Sequence, residues 1–148
     1  MPWDDLRKGR LSQAGRAYHV TTVVADRRAV FQDFWLGRIV VREMMRLQDE
    51  GAVESLAFVI MPDHLHWLIV LQNEWGLSEV MQRLKGRSAR LLARSTGVSP
   101  FWQRAYYDHA VRQEEDLHAI ARYIVANPLR RGLVQQIGGY PLWDAVWM

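Results

Sequence analysis

The longest apolar stretch of this chain covers residues 56–71 and is interrupted near its middle by Pro62 and Asp63. A proline cannot donate the backbone hydrogen bond that a central strand needs, so it ends one strand and favours a turn. We therefore interpret the region as two strands, over residues 53–61 and 64–72, joined by a tight turn. This predicted hairpin indicates a sheet protein, and the polar interruption argues against a membrane span.

Hydrophobic periodicity predicts the elements on either side of the hairpin. They are a strand over 18–25, a helix over about 32–50, a helix over 77–96, a strand over 106–112 and a last helix over about 114–127. Ser78 is a candidate cap for the second helix, and Pro128 is expected to close the last one. The first six elements follow the β-α-β-β-α-β order of ferredoxin-like folds. The sequence therefore predicts an α+β fold, with helices on one face of an antiparallel sheet and an added C-terminal helix.

Length and composition indicate one folded domain. The chain has 148 residues, of which 49% are hydrophobic and 24% charged, so we expect a single domain over residues 1–148 with its core at about 17–134. There is no cysteine, which excludes disulfides and thiolate zinc sites. The chain also starts without the apolar segment of a secretory signal. We expect a soluble, cytoplasmic protein without membrane contact, and the sequence leaves monomer and homodimer open.

A basic segment lies in the second predicted helix and the loop after it. Residues 81–104 include six basic residues and no acidic residue. Four of the arginines fall together on one face of the helix, namely Arg83, Arg87, Arg90 and Arg94. Such a face favours a polyanionic partner. A solvated helix face that only aids solubility remains an alternative.

Two histidines begin the second strand of the hairpin. Side chains alternate between the faces of a strand, so His64 and His66 point the same way while Leu65 points into the opposite, apolar face. This spacing can present two imidazole nitrogens to one metal ion. A histidine pair on a strand is often merely structural, so a metal site also requires a third ligand.

The last predicted helix offers that ligand. Tyr123 and Asn127 are four residues apart and therefore lie one above the other on one helix face. The amide oxygen of Asn127 could complete a metal site, with the Tyr123 phenol about one turn away. The alternative is that Tyr123 is an ordinary packing aromatic and Asn127 a helix end before Pro128. The helix alone does not decide between these interpretations.

The motifs together resemble a known family. The string Met61-Pro62-Asp63-His64-Leu65-His66-Trp67 resembles the HUH motif (His, hydrophobic, His) of single-tyrosine transposases. Residues 101–104, 107–112 and 123–128 are similar to later sequence blocks of the REP-associated branch of that family. The resemblance implies a ferredoxin-like catalytic domain, with His64, His66 and Asn127 as ligands of Mg²⁺ or Mn²⁺ and Tyr123 as the nucleophile.

The function implied by this resemblance is DNA nicking and strand transfer. The metal would neutralise charge on a phosphate, and Tyr123 would form a covalent 5′-phosphotyrosine with single-stranded or hairpin DNA at short palindromic elements. The arginine face of the second helix, or the basic turn at Arg27 and Arg28, would bind the DNA backbone. Two alternatives stay open, a catalytically silent DNA-binding regulator of the same fold and a small metal-dependent hydrolase.

Several other side chains have open roles at this level. His109 is a candidate general base, although a histidine that orients a loop or contacts a phosphate fits a strand better. Trp67 is expected in the core, and Trp102 and Trp143 could be core residues or stacking platforms for unpaired bases. Four tyrosines compete with Tyr123 as nucleophile: Tyr18, Tyr106, Tyr107 and Tyr140.

Overall fold

The computed structural model describes residues 15–112 and 115–146, which form a five-stranded antiparallel sheet with helices on both faces. The elements, in chain order, are β1 (Ala17–Val23), α1 (Phe34–Asp49), β2 (Val53–Met61), β3 (His64–Leu71), α2 (Leu77–Thr96), β4 (Tyr107–Ala110), α3 (Leu117–Val125), α4 (Asn127–Arg130) and β5 (Trp143–Ala145). The strand order across the sheet is β4-β1-β3-β2-β5. The predicted ferredoxin-like α+β fold is confirmed.

The predicted hairpin forms the centre of the sheet. β2 and β3 pair along their length, beginning with Met61 opposite His64 at the turn. β1 pairs with the other edge of β3. Leu65, Trp67 and Ile69 are fully buried on one face of β3. The strong apolar character of these two strands therefore reflects their central position, where both faces are covered.

Helices α1 and α2 pack on the face of the sheet that carries Leu65 and Trp67. α1 begins two residues later than predicted, because a short 3-10 turn over Val30–Gln32 precedes it and the Asp33 carboxylate caps it by accepting from the Trp35 N–H at 3.0 Å. α2 has the predicted bounds. The predicted Ser78 cap is wrong, since Gly76 holds the N-cap position and no side chain caps the helix.

Helix α3 packs on the opposite face, where its Ala121 and Ile124 join Val59 and Leu68 of the hairpin in a second apolar cluster. The predicted start of this helix at residue 114 lies outside the described residues, and the helix itself begins at Leu117. Pro128 does not close it as predicted. It lies in the first turn of α4, a position for which its fixed φ and missing N–H suit it.

Strand β5 was not predicted from the sequence. It has only three residues and pairs with the outer edge of β2, with Trp143 opposite Val59 and Ala145 opposite Ala57. Three residues are too few to show an alternating pattern, so the element depends on the partner strand. In the residues that the structure describes, no helix is long and apolar enough to cross a bilayer.

Trp67 and Trp102 are both core residues, while Trp143 is partly buried on β5. The Trp102 indole N–H donates to the Ser88 hydroxyl at 3.0 Å, and that hydroxyl donates to the Leu84 carbonyl at 2.6 Å. Trp102 is thus fixed below α2 by a buried hydrogen-bond chain. It is not available as a platform for nucleic-acid bases.

Ser88→Ala is expected to lower the free energy of unfolding by about 1–3 kcal/mol, because it leaves the buried Trp102 N–H without its acceptor. Chemical denaturation measures the loss. Adding Trp102→Phe to Ser88→Ala should cost less than the sum of the two single changes, since the donor is then removed with its acceptor. Strict additivity would show that this hydrogen bond contributes nothing.

Candidate functional site

The two histidines of β3 lie side by side on the face of the sheet that α3 covers. Their ring centroids are 4.9 Å apart, and Leu65 between them is buried in the opposite core. The predicted orientation is therefore confirmed. The strand alternation that buries Leu65 under α1 and α2 also presents both imidazoles on the other face.

His64 is held by the residue before it. Its Nδ1 lies 2.6 Å from Oδ1 of Asp63. Burial alone would raise the pKa of the Asp63 carboxyl, but hydrogen bonding to His64 and the nearby Arg27 hold that pKa below its usual value. A carboxylate at Nδ1 fixes the ring and leaves Nε2 as the free ligand atom, the arrangement of many metal-binding histidines.

His66 is held by two side chains of β1. Its Nδ1 lies 3.0 Å from the Thr21 hydroxyl oxygen and 3.1 Å from Nε2 of His19. Burial, followed by the charges of His64, His19 and two arginines, lowers the pKa of His66 to about 3. The ring is therefore neutral near pH 7, so a metal ion would not have to displace a proton from it.

A cavity of about 260 Å³ opens beside the two rings. Its lining residues are Thr21, Val23, Arg27, His64, His66, Tyr107 and Arg131. Tyr123 and Asn127 are not among the residues that line it. The cavity combines two imidazoles, two guanidinium groups and a phenol ring, which suits a phosphate-containing ligand.

Tyr123 lies on α3, on the same side of the sheet as the histidines, and 62% of its surface is exposed. The guanidinium carbon of Arg130 lies 3.7 Å from its ring centroid. This exposure speaks against a packing role for the ring. Asn127 is buried and begins α4, so it does not merely end the preceding helix.

The other tyrosines are less suited to attack a large substrate. Tyr18 is buried, Tyr106 is partly buried against the core, and the Tyr140 hydroxyl donates to the Ile60 carbonyl at 2.6 Å. Burial raises the pKa of Tyr140 to about 12. Among the described tyrosines, only Tyr107 and Tyr123 have largely exposed rings.

The two histidines are chemically suited to bind a metal ion, because the contacts that anchor both rings are made through Nδ1, and Nε2 can then act as the ligand atom. Within residues 15–112 and 115–146, however, no three His, Cys, Asp or Glu side chains are grouped to hold a metal ion. A complete ligand set would therefore need the Asn127 amide oxygen, water or substrate oxygens. The assignment of Mg²⁺ or Mn²⁺ stays a prediction.

The arginines of α2 lie on the opposite side of the sheet from the histidines. Arg83, Arg87 and Arg90 line one shallow groove, as their predicted common face requires. The two terminal NH₂ groups of Arg87 donate hydrogen bonds to the Glu50 carboxylate, at 2.9 and 3.1 Å, and this contact links α2 to the end of α1. Arg83 lies over the Trp75 ring at 4.8 Å. DNA contact by this face, including Arg94, stays a prediction, and Arg87 is the member least free to make it.

The basic turn is closer to the histidines. Arg27 lines their cavity and lies 3.4 Å from Oδ2 of Asp63, while Arg28 pairs with Asp26 at 3.6 Å. DNA binding by Arg27 and Arg28 is likewise untested. The position of Arg27 places a positive charge at the mouth of the site.

A model of one transposase family, described as "Transposase IS200 like", matches residues 12–127. The chain belongs to the IS200-like transposase family. A REP-associated tyrosine transposase of Escherichia coli K12 is 26% identical over 101 residues, covering 66% of this chain and 58% of that protein. A relative from Haemophilus influenzae is 29% identical over 99 residues, covering 60% of this chain and 56% of its own length. The chain thus spans less than two thirds of these relatives.

A solved structure of a REP-associated tyrosine transposase bound to a REP hairpin has the same fold. The TM-score is 0.75 at 21% sequence identity, and the match covers 91% of this chain and 79% of that one. The family resemblance carried by the histidine motif and the later sequence blocks is confirmed. The residue roles implied by that resemblance remain predictions.

Four residues that line the cavity were missed as site residues by the sequence analysis, namely Thr21, Val23, Tyr107 and Arg131. Tyr107 was considered only as a rival nucleophile, and Arg131 was not considered. Arg131 follows Asn127 by four residues, and its N–H donates to the Asn127 carbonyl at 3.0 Å. Continuing the helical spacing beyond Pro128 would have found it. Tyr107 reaches the site only through the pairing of β4 with β1.

His109, considered above as a general base, has both carboxylate oxygens of Glu115 at 3.0 Å from its Nε2. Hydrogen bonding from the Arg112 backbone, followed by His109, lowers the pKa of Glu115 against the opposing effect of burial. The pair ties β4 to the residues before α3. This contact supports the loop-orienting role for His109.

Acidification is expected to destabilise the metal-free protein between pH 6.5 and about 5. His66 has an ordinary pKa of 6.5 in the unfolded chain and about 3 in the folded one. In this window only the unfolded chain takes up the proton. The free energy of unfolding should fall as the pH is lowered, by at most about 1.4 kcal/mol per pH unit for one proton.

Urea unfolding at pH 7 and at about pH 5 measures this loss. His66→Gln should reduce the difference without abolishing it, because burial also lowers the pKa of His19. The lowered carboxyl pKa values act mainly below this window. Equal free energies of unfolding of the wild-type protein at both pH values would contradict the burial of a neutral His66.

Proposed function

We propose that this chain is a metal-dependent single-strand DNA endonuclease and strand transferase that acts through a covalent 5′-phosphotyrosine. The main support is that an exposed tyrosine, Tyr123, lies on the helix that packs on the same sheet face as His64 and His66. Membership of a transposase family supports the same reaction class.

His64, His66 and Asn127 would hold the metal ion, Mg²⁺ or Mn²⁺. When bound, such an ion neutralises the charge that develops on a phosphate oxygen during displacement. The protein prepares the two imidazoles for this role, because Asp63 anchors His64 while Thr21 and His19 anchor His66. Arg27 and Arg131 at the same cavity would attract the phosphate.

Tyr123 would carry the covalent chemistry. Its hydroxyl oxygen attacks phosphorus, the bond to the 3′ oxygen breaks, and the DNA is left with a free 3′-hydroxyl and a 5′-phosphate on the tyrosine. The phenol proton passes to water or to a base at the site, and the leaving 3′ oxygen takes up a proton from water. The ester keeps the energy of the phosphodiester bond, so the 3′-hydroxyl of another strand can reverse the reaction.

The substrate would be a DNA hairpin with an unpaired flank. In-line attack by Tyr123 is difficult on a stacked duplex, whereas a palindrome folded as a hairpin offers both a shape to recognise and a free strand to cut. The structurally similar transposase was solved with a REP hairpin. A short palindromic element of this type is therefore the proposed target.

The function is tested by incubating the protein with hairpin DNAs that carry unpaired flanks, in Mn²⁺ and in EDTA. The expected result is a covalent protein–DNA adduct in denaturing gels that depends on the metal. Tight hairpin binding without any adduct would favour the silent DNA-binding regulator. Phosphate release from small esters without DNA binding would instead favour the small hydrolase.

Binding preference is tested with a hairpin, an unstructured single strand and a matched duplex at two salt concentrations. The hairpin with its flank should bind most tightly, and all affinities should fall with salt because phosphates are neutralised by arginines. Equal affinity for the three DNAs, or tighter binding of duplex, would contradict the proposed substrate.

A further inference from the structure

Tyr107 is an exposed aromatic residue in the wall of the histidine cavity. It lies on β4, the edge strand of the described sheet, opposite Thr21 of β1. Residues directly opposite each other in antiparallel strands share a face, and the Thr21 hydroxyl contacts His66. The Tyr107 side chain therefore lies on the same sheet face as Thr21 and His66, with β1 between β4 and β3. Tyr107 is 64% exposed.

Packing among the described residues does not explain the position of the Tyr107 ring. The neighbouring Tyr106 packs against the core, and its ring centroid lies 5.8 Å from the Lys85 ammonium nitrogen, so Tyr106 accounts for the aromatic packing of this segment. Tyr107 points to the other face and belongs to neither apolar cluster. An exposed ring beside positive charge is the combination that binds unpaired nucleotides, through stacking on the base and attraction of the phosphate.

Arg131 supplies that charge. It is exposed and lines the same cavity, and among the described residues it has no ion-pair partner. Arg27, by contrast, is paired with Asp63. Within the part of the chain that the structure describes, Arg131 is therefore the cavity cation without an ion pair, and we expect it to meet the phosphate.

We propose that Tyr107 and Arg131 form a subsite for one unpaired nucleotide of the DNA strand, in which the base stacks on the Tyr107 ring and the phosphate contacts Arg131. The subsite rests on the proposed function for its substrate class. A cavity of about 260 Å³ is too small for a duplex, and a paired, stacked base does not offer its face to a protein ring. The subsite therefore selects single-stranded DNA next to the histidines and is distinct from the nucleophile Tyr123.

The test uses binding without chemistry, in EDTA and in a Tyr123→Phe background. Hairpin DNAs carry the fluorescent base 2-aminopurine at successive positions of the unpaired flank, so that stacking on an aromatic ring quenches the signal at one position. Tyr107→Phe should keep both the quenching and the affinity. Tyr107→Leu should lose the quenching and bind at least about fivefold more weakly.

Arg131→Gln tests the phosphate contact. It should lower the slope of log affinity against log salt by about 0.7, the value for one phosphate of a single strand. Trp35→Leu and Arg38→Gln are matched controls, since they remove an exposed aromatic ring and an exposed arginine from α1 on the other side of the sheet. Both should bind like the wild-type protein, and circular dichroism with thermal unfolding verifies that each variant is folded.

Unchanged quenching and affinity in folded Tyr107→Leu, or an unchanged salt slope in Arg131→Gln, would overturn the subsite. The adduct assay separates this failure from that of the proposed function. If the wild-type protein forms the adduct while Tyr107→Leu binds normally, the subsite is wrong and the nicking reaction stands. If no adduct forms but Tyr107→Leu loses quenching, the subsite stands and the nicking reaction fails.

Discussion

Tyr123→Phe should abolish the covalent protein–DNA adduct while leaving the fold and the hairpin affinity nearly intact. The change removes one hydroxyl from a residue that is 62% exposed, so the free energy of unfolding should shift by no more than about 0.5 kcal/mol. The ring itself stays, and with it the Arg130 stacking at 3.7 Å. Only the nucleophilic oxygen is lost, so the adduct should fall to background.

The measurement is adduct yield in denaturing gels alongside hairpin affinity and thermal stability. Tyr107→Phe is the matched comparison, because Tyr107 is the other described tyrosine with a largely exposed ring and it lines the histidine cavity. This variant should still form the adduct. The reverse pattern, with the adduct retained in Tyr123→Phe and lost in Tyr107→Phe, would transfer the nucleophile to Tyr107.

Replacement of either cavity histidine should remove metal binding and DNA cleavage together. Loss of a residue that hydrogen-bonds to a metal ligand already lowers metal affinity by about 10–100-fold. Loss of the ligand itself, in His64→Ala or His66→Ala, should therefore weaken Mn²⁺ binding by at least about 100-fold. Asn127→Ala should have a smaller effect, since water can replace an amide oxygen. Adduct yield should follow the same order.

Calorimetric titration with Mn²⁺ measures the binding, without DNA and therefore without catalysis. His118→Gln is the control for non-specific Mn²⁺ binding by a histidine outside the cavity, because His118 lies on α3 and does not line the cavity. This variant should bind Mn²⁺ like the wild-type protein. Unchanged Mn²⁺ affinity in both cavity variants would show that the histidine pair is structural. Loss of metal binding with full adduct formation would show that the reaction needs no metal at this site.

Local patterns in the sequence predicted the parts of the protein that depend on local geometry. Strand alternation was enough to place His64 and His66 on one face and Leu65 on the other. Helical periodicity predicted both bounds of α2. The predictions failed where the local signal was short or ambiguous, as for the three-residue β5 and for Pro128, which begins a helix as readily as it follows one.

The site itself depends on contacts between distant parts of the chain. Thr21 and His19 meet His66 because β1 pairs with β3, and Tyr107 joins them because β4 pairs with β1. The pairing of Arg87 with Glu50 likewise follows from the packing of α2 on α1.

The sequence by itself determined the order of the seven elements from β1 to α3, the common face of the histidines and the transposase family. Only the tertiary structure decided that the Arg83 face lies away from the histidines, and that Tyr107 and Arg131 line their cavity. The physical reason is that residue spacing sets the direction of a side chain within its own helix or strand, whereas strand order and helix packing decide which side chains meet.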